Sequence, residues 1–317
     1  MTTRLSRPSK ALLERHHAFV ASDNTFQRRA RLLQTLWRER EGLAIGSHRG
    51  RPLGSRIAMP AAEERLENYL TPTIRDVVRR EVIEAPPGHG ALFGRPRIFN
   101  DLLSSQPLCF NLFGELSEDL ELATRVFRRL LPGRVHQVEE VAFERSPGRG
   151  DRRYTGDKSA FDVFVRFRDA SGGTGFVGIE VKYHEDLSDQ PANHRERYDE
   201  LAEGMGVFKR DHLKQLRAKP LQQIWRDHLL AGSMLGAGDG WADGCFAFLY
   251  PRDNMHCARA VAAYRECLTD QRTFVEWTLE GVVAAIVHAG DSEWVQRCRE
   301  RYLGFARVDY AVAQSEG

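Results

Sequence analysis

A mixed α/β fold with a central sheet flanked by helices is what this 317-residue chain predicts, with helical extensions at both ends. Three observations carry that expectation. The segments FDVFVRF (Phe161–Phe167) and FVGIEVKY (Phe176–Tyr183) are rich in β-branched and aromatic residues, and the glycine-rich RDASGGTG between them suits a hairpin. An amphipathic helical pattern followed by a strand pattern precedes this pair. After a further helix comes CFAFLY (Cys245–Tyr250), apolar throughout, as a strand buried on both faces would be.

Taken in order, Arg28–Arg40 has apolar residues at 32, 33, 36 and 37, with arginines on the other face of a helix. Gly42–Pro60 reads as a Gly/Arg/Pro-rich loop, Ala61–Ile83 as helix with a break at Pro72, and Pro86–Gly94 as a second loop. Ser117–Leu131 opens on acids, closes on arginines and stops at Pro132-Gly133, in keeping with the helix dipole. Val135–Phe143 reads as a strand and Ser146–Gly156 as a charged loop. Helix is expected at Leu213–Leu230, Met255–Leu268, Val282–Ala289 and Trp294–Tyr302, with a strand at Phe274–Leu279. The change of character near residue 105 suggests a basic, mostly helical region over 1–104 and an α/β domain with a helical extension over 105–317.

Composition narrows the class. With 42% hydrophobic and 28% charged residues the chain is not predominantly disordered. The longest apolar run, Val282–Val287, is far short of a membrane span, and no secretory signal is evident, so a soluble, cytoplasmic protein is expected. Five cysteines without CxxC spacing point to reduced thiols rather than disulfides or zinc. HExxH, Walker A and GxSxG patterns are absent, and the glycine string Gly173-x-Gly175-x-x-Gly178 lies in a hairpin rather than between a strand and a helix, so it is no nucleotide loop. Residues 1–60 carry 12 Lys/Arg against 4 Asp/Glu, while the whole chain has a net charge of only +2. Such a basic segment either attracts polyanions or solvates the outer face of a helix.

The chemistry centres on Asp162 and the triplet Glu180-Val181-Lys182. Alternation along a strand puts Glu180 and Lys182 on one face, with Val177, Ile179, Val181 and Tyr183 on the other. On the partner strand Phe161, Val163, Val165 and Phe167 form the apolar face, leaving Asp162 opposite. A symmetric hairpin sets Asp162 across from Glu180 and Phe167 across from Gly175. Opposed carboxylates repel by up to about 1 kcal/mol, so a cation is called for. Lys182 supplies one charge. Mg²⁺ would suit the rest, because two acids and the Val181 carbonyl offer the hard oxygens it prefers. Only six basic residues are lysine, and Lys182 alone among them has an acid two positions before it. Lysine, unlike arginine, can sit as a compact charge beside water. The plainer alternative is an ordinary surface ion pair.

With these residues in view, the order helix–strand–strand–strand–helix–strand and Asp162…Glu180-x-Lys182 resemble the PD-(D/E)XK nuclease superfamily. The text YTGDKSAFDVFV…GFVGIEVKYHE (Tyr154–Glu185) is similar to restriction endonuclease-like proteins within it. The resemblance covers roughly residues 105–250, and Ala160-Phe161 stands where the family pattern has a proline. It implies a Mg²⁺-dependent nuclease (Mn²⁺ an accepted substitute) leaving 5′-phosphate ends. Asp162 would be the central metal ligand, Glu180 the second, and Lys182 the group that positions water. A further glutamate from the helix before the first strand is implied. Glu115 is preferred over Glu118 and Glu121 because its surroundings are apolar. On the later helix Gln223, Arg226 and His228 are candidates to face the site and hold a phosphate. Glu185, Asp157 and Lys158 flank it.

The expected function is therefore Mg²⁺-dependent hydrolysis of DNA, in a restriction or defence role. The substrate would be double-stranded DNA, the basic N-terminal helices would contact phosphates, and a homodimer would supply two active sites. The alternatives are a non-catalytic nucleic-acid-binding protein on the same scaffold and a structure-specific repair nuclease.

Overall fold

A computed structural model describes residues 6–86 and 91–316 of the chain. Its centre is a five-stranded mixed sheet in the order β3-β4-β5-β6-β7. The strands are β3 (Gln137–Arg145), β4 (Phe161–Arg168), β5 (Thr174–Val181), β6 (Asp243–Tyr250) and β7 (Phe274–Thr278). The first three run antiparallel, and β6 and β7 are parallel to β5. A smaller hairpin, β1 (Ile45–His48) with β2 (Arg51–Ile57), lies in the N-terminal region.

Both faces of the large sheet are buried. One face presents Val163, Val165, Phe167, Val177, Ile179, Val181 and Leu249 to a core shared with the Ser105–Glu118, Leu120–Leu130 and Leu279–Ala289 helices. The other presents Phe164, Phe176, Phe246 and Phe248 to the Glu196–Met205, Gln222–Gly236 and Met255–Glu266 helices. β6 is buried from Gly244 to Tyr250, as its unbroken apolar run demands.

The β4–β5 register matches the expected hairpin, with Phe167 opposite Gly175 and Val163 opposite Ile179. The face of Phe161 differs from expectation: it joins the Phe164 and Phe246 cluster instead of lining up with Val163. Its ring lies over Gly178, where a Cβ would come within 2.4 Å of it. The missing side chain leaves room for that ring.

Other boundaries move for local reasons. The Leu213–Leu230 helix is interrupted: a short turn of helix at Leu213–Leu216 is followed by a second helix from Gln222, since Pro220 disfavours helical backbone at Lys219 and removes a donor. The strand expected at Val135–Phe143 runs from Gln137 to Arg145, so it takes in Glu144. The Ser117–Leu131 helix is two, because Asp119 accepts from the Leu122 N–H and caps a new start. The helix after Ala61 restarts at Pro72, where Thr71 Oγ1 accepts from Ile74 N–H. Gly42–Pro60 holds the β1–β2 hairpin rather than a loop: Arg49 and Gly50 both take left-handed backbone (φ 52° and 76°), the conformation of a tight hairpin turn. Residues 87–90 of the expected Pro86–Gly94 loop lie outside the described residues.

The N-terminal region does not form a separate core. One hydrophobic cluster runs from Phe26 and Trp37 through the sheet to Tyr302, across the boundary expected at 104/105. Several of its arginines brace the fold. Arg31 forms a bidentate pair with Asp23 (2.6 and 3.0 Å), and Arg29 pairs with Asp309 at 2.6 Å. Arg38 donates to the carbonyls of Gly54 and Leu43, and Arg40 and Arg56 pair with Glu300 and Asp101. Arg29, Arg31 and Arg38 are buried and turned inward, whereas Arg7, Lys10, Arg15, Arg40, Arg49 and Arg51 are exposed. Arg301, fully buried, joins the chain's ends by donating to Gln34 and Asn68 and stacking 4.0 Å over Trp37.

Gly178→Ala should destabilise the protein by about 1–3 kcal/mol, the usual range for overpacking a core. Urea denaturation measures the loss directly.

Candidate active site

The site forms where β3 ends, β4 begins and β5 ends. The pairings Phe143–Val163 and Arg145–Phe161 bracket Glu144 and set it beside Asp162. The β4–β5 register, continued one step past Val163–Ile179, sets Asp162 beside Glu180. Three acids thus occupy one row across adjacent strands. Glu144 sits in left-handed backbone (φ 50°), a conformation that redirects the end of β3.

Each acid is held by a different donor. Asp162 Oδ2 accepts from the Val181 N–H at 2.8 Å. Glu180 Oε1 accepts from Lys182 Nζ at 2.5 Å and from Gln223 Nε2 at 2.6 Å. Glu144 Oε1 accepts from Arg149 at 2.7 Å. Glu180 and Lys182 are only 6% and 8% exposed, so this is a buried ion pair and not the surface pair considered above.

Burial and crowding set the electrostatics. Burial first, and then the Glu180 charge, push the Asp162 carboxyl well above the ordinary range. Burial raises Glu144 as well, against the pull of Arg149. Burial pulls the Lys182 ammonium down, but Glu180, Glu185 and Asp162 more than reverse this and keep it protonated. Only one ammonium sits among these carboxyls, so their mutual repulsion is only partly relieved.

The structure brings together Asp162, Glu180, Lys182 and Gln223. It does not bring in Glu115, whose Oε1 accepts from Thr71 Oγ1 at 2.5 Å. Glu118 pairs with Arg80, and Glu121 is exposed. In place of a helix acid the sheet itself supplies Glu144, which sequence reasoning missed because the strand was ended two residues too soon. Asp227, buried on the same helix as Gln223, was missed too; its carboxyl is raised by burial and by Glu180. The spacing of four from Gln223 was the available signal.

Arg226 faces Asp157 (3.0 Å) and Ser159 (2.9 Å) instead of the acids. Asp157 also accepts from Tyr198, Thr155 and the Ser159 N–H. That network pins the loop entering β4. Lys158 is exposed. Glu185 accepts from the Tyr183 N–H at 2.7 Å, and its charge acts on Lys182. His228 is structural: its ring nitrogens meet Tyr264 Oη and Thr273 Oγ1, both at 2.8 Å.

Compared with known proteins, the chain matches the PD-(D/E)XK nuclease superfamily over residues 21–304, nearly its whole length. It belongs to that superfamily. The mixed five-stranded sheet with helices on both faces is consistent with a PD-(D/E)XK core. No curated protein and no solved structure matches the chain. Superfamily membership makes nuclease the coarse functional class and nucleic acid the coarse substrate class. PD-(D/E)XK nucleases typically use divalent metals. Among the described residues no group of three or more His, Cys, Asp or Glu side chains forms a ready-made cage. The fit here is to a cation needing few protein ligands: hard carboxylate oxygens from Asp162 and Glu180, whose mutual repulsion a cation would relieve. None of the described helices of this PD-(D/E)XK protein is long and apolar enough to cross a membrane.

Burial holds the His228 pKa down to about 3, against an unfolded value near 6.5. The unfolded chain therefore takes up a proton first as pH falls. Stability is full above pH ~6.5 and declines toward the folded value, by about 2 kcal/mol at pH ~5. Urea midpoints across this window should show the decline, and His228→Gln should flatten it.

Proposed function

We propose that the chain hydrolyses phosphodiester bonds in double-stranded DNA, using Mg²⁺, in a restriction-type defence role. What supports this most is one arrangement: Asp162 and Glu180 side by side on one sheet face, with the Lys182 ammonium on Glu180. In this reading Asp162 and Glu180, with the Val181 carbonyl, hold the cation, and Glu144 is the third acid of the row. A divalent cation there would polarise a phosphoryl oxygen and make bound water more acidic. Lys182 remains charged, and it orients the attacking water and stabilises charge developing on the phosphoryl group. Gln223 holds Glu180 in place from the neighbouring helix.

With Arg29, Arg31 and Arg38 committed internally, phosphate contacts are assigned first to exposed residues on the segments entering and leaving the acid row. Arg145 ends β3, Arg152 and Lys158 lie before β4, and Arg195 follows the β5 exit loop. Basic groups at these positions would carry the duplex backbone past Asp162.

Plasmid cleavage with Mg²⁺ or EDTA tests the catalytic reading. Activity should require the metal and fall by about 100-fold or more in Lys182→Ala and Asp162→Asn, with thermal melting checked for each variant. Undiminished cleavage by Lys182→Ala would refute the assignment. For the interface, Arg152→Ala and Lys158→Ala should each weaken DNA binding and reduce the salt slope of log K by about one. Fluorescence anisotropy over a salt series reads both quantities.

A further inference from the structure

The Gln222–Gly236 helix lies against the sheet face that carries the acids, and Gln223 reaches Glu180 from it. Four residues on, Asp227 projects from the same side of that helix. It is 5% exposed, and its Oδ2 is buried with no hydrogen-bond partner among the described residues. Every other acid at the site has a donor: Asp162, Glu144, Glu180, Glu185 and Asp157 are all engaged. A buried, unpartnered carboxylate oxygen is uncommon enough to need an explanation.

The neighbouring charges narrow the choice. Asp227 feels Glu180, Arg226, Lys182 and Asp157. Arg226 is committed to Asp157 and Ser159. Lys182 has three N–H donors and directs one to Glu180. When a cation draws on Glu180, that ammonium would lose its partner while still buried, and an unpaired buried charge is strongly disfavoured.

We propose that Asp227 is the second carboxylate station of the Lys182 ammonium, keeping it within the site when a divalent cation engages Glu180. Asp227 is thus a positioning residue, acting through Lys182. Its geometry stands alone, while its purpose rests on the nuclease reading.

The decisive test needs no metal. Glu180→Gln removes the charge that a cation would neutralise, and the crystal structure of that variant should show Lys182 Nζ within hydrogen-bond distance of Asp227. An ammonium still on residue 180, or turned to solvent, would overturn the proposal. Melting temperatures of Glu180→Gln, Asp227→Asn and the double variant should be non-additive, the double losing more than the two singles together. Additivity would count against coupling. Asp227→Asn should also lower kcat at least tenfold with KM for DNA unchanged, whereas a change confined to KM would contradict a role through Lys182. The two readings fail separately. A shifted ammonium in Glu180→Gln, together with a wild-type protein that cuts no DNA, sinks the nuclease reading and spares the second station. Cleavage without the shift does the reverse.

Discussion

The hydrogen bond from the Val181 N–H to Asp162 joins the start of β4 to the end of β5. It closes the hairpin at the end where the acids lie and ties the carboxylate to the neighbouring backbone. Side chains alternate with a period of two, so a slip of one residue in this pair would send Asp162 to the opposite face. It would also drive Val163, Val165 and Phe167 out of their core. Packing and site geometry therefore enforce the same register.

That register concentrates charge where the sheet excludes water. Glu144, Asp162 and Glu180 follow one another across three strands, and burial opposes ionisation of Glu144 and Asp162. A row of this kind costs stability, and a hydrophobic substitute would pack there more cheaply. Its persistence on a fully apolar scaffold is understandable if a cation joins the lone ammonium. The packed helices on both faces supply the rigidity that holds such groups in place.

Arginine serves a different purpose in this chain from lysine. In the N-terminal region its planar guanidinium bridges carbonyls and carboxylates, linking the Thr25–Arg40 helix to β2 and to the C-terminal helices. Arg301 does so fully buried, on amide oxygens and an indole face. Part of the basic count over residues 1–60 thus describes internal bracing, while Arg7, Lys10, Arg15, Arg40, Arg49 and Arg51 remain exposed.

Strand identity, the hairpin and the pairing of Asp162 with Glu180 were legible in the sequence, because alternation and a glycine-rich turn are local properties. So was the double burial of β6, which an uninterrupted apolar run expresses without reference to its neighbours. The fate of Glu144, Asp227, Glu115 and the arginines was not. A strand end displaced by two residues, a helix that starts only after Pro220 and a partner such as Thr71 or Asp309 are decided by contacts between distant segments. Local pattern names the residues able to bear charge; only the packed chain decides which charges meet, since burial and neighbouring groups are properties of the whole fold.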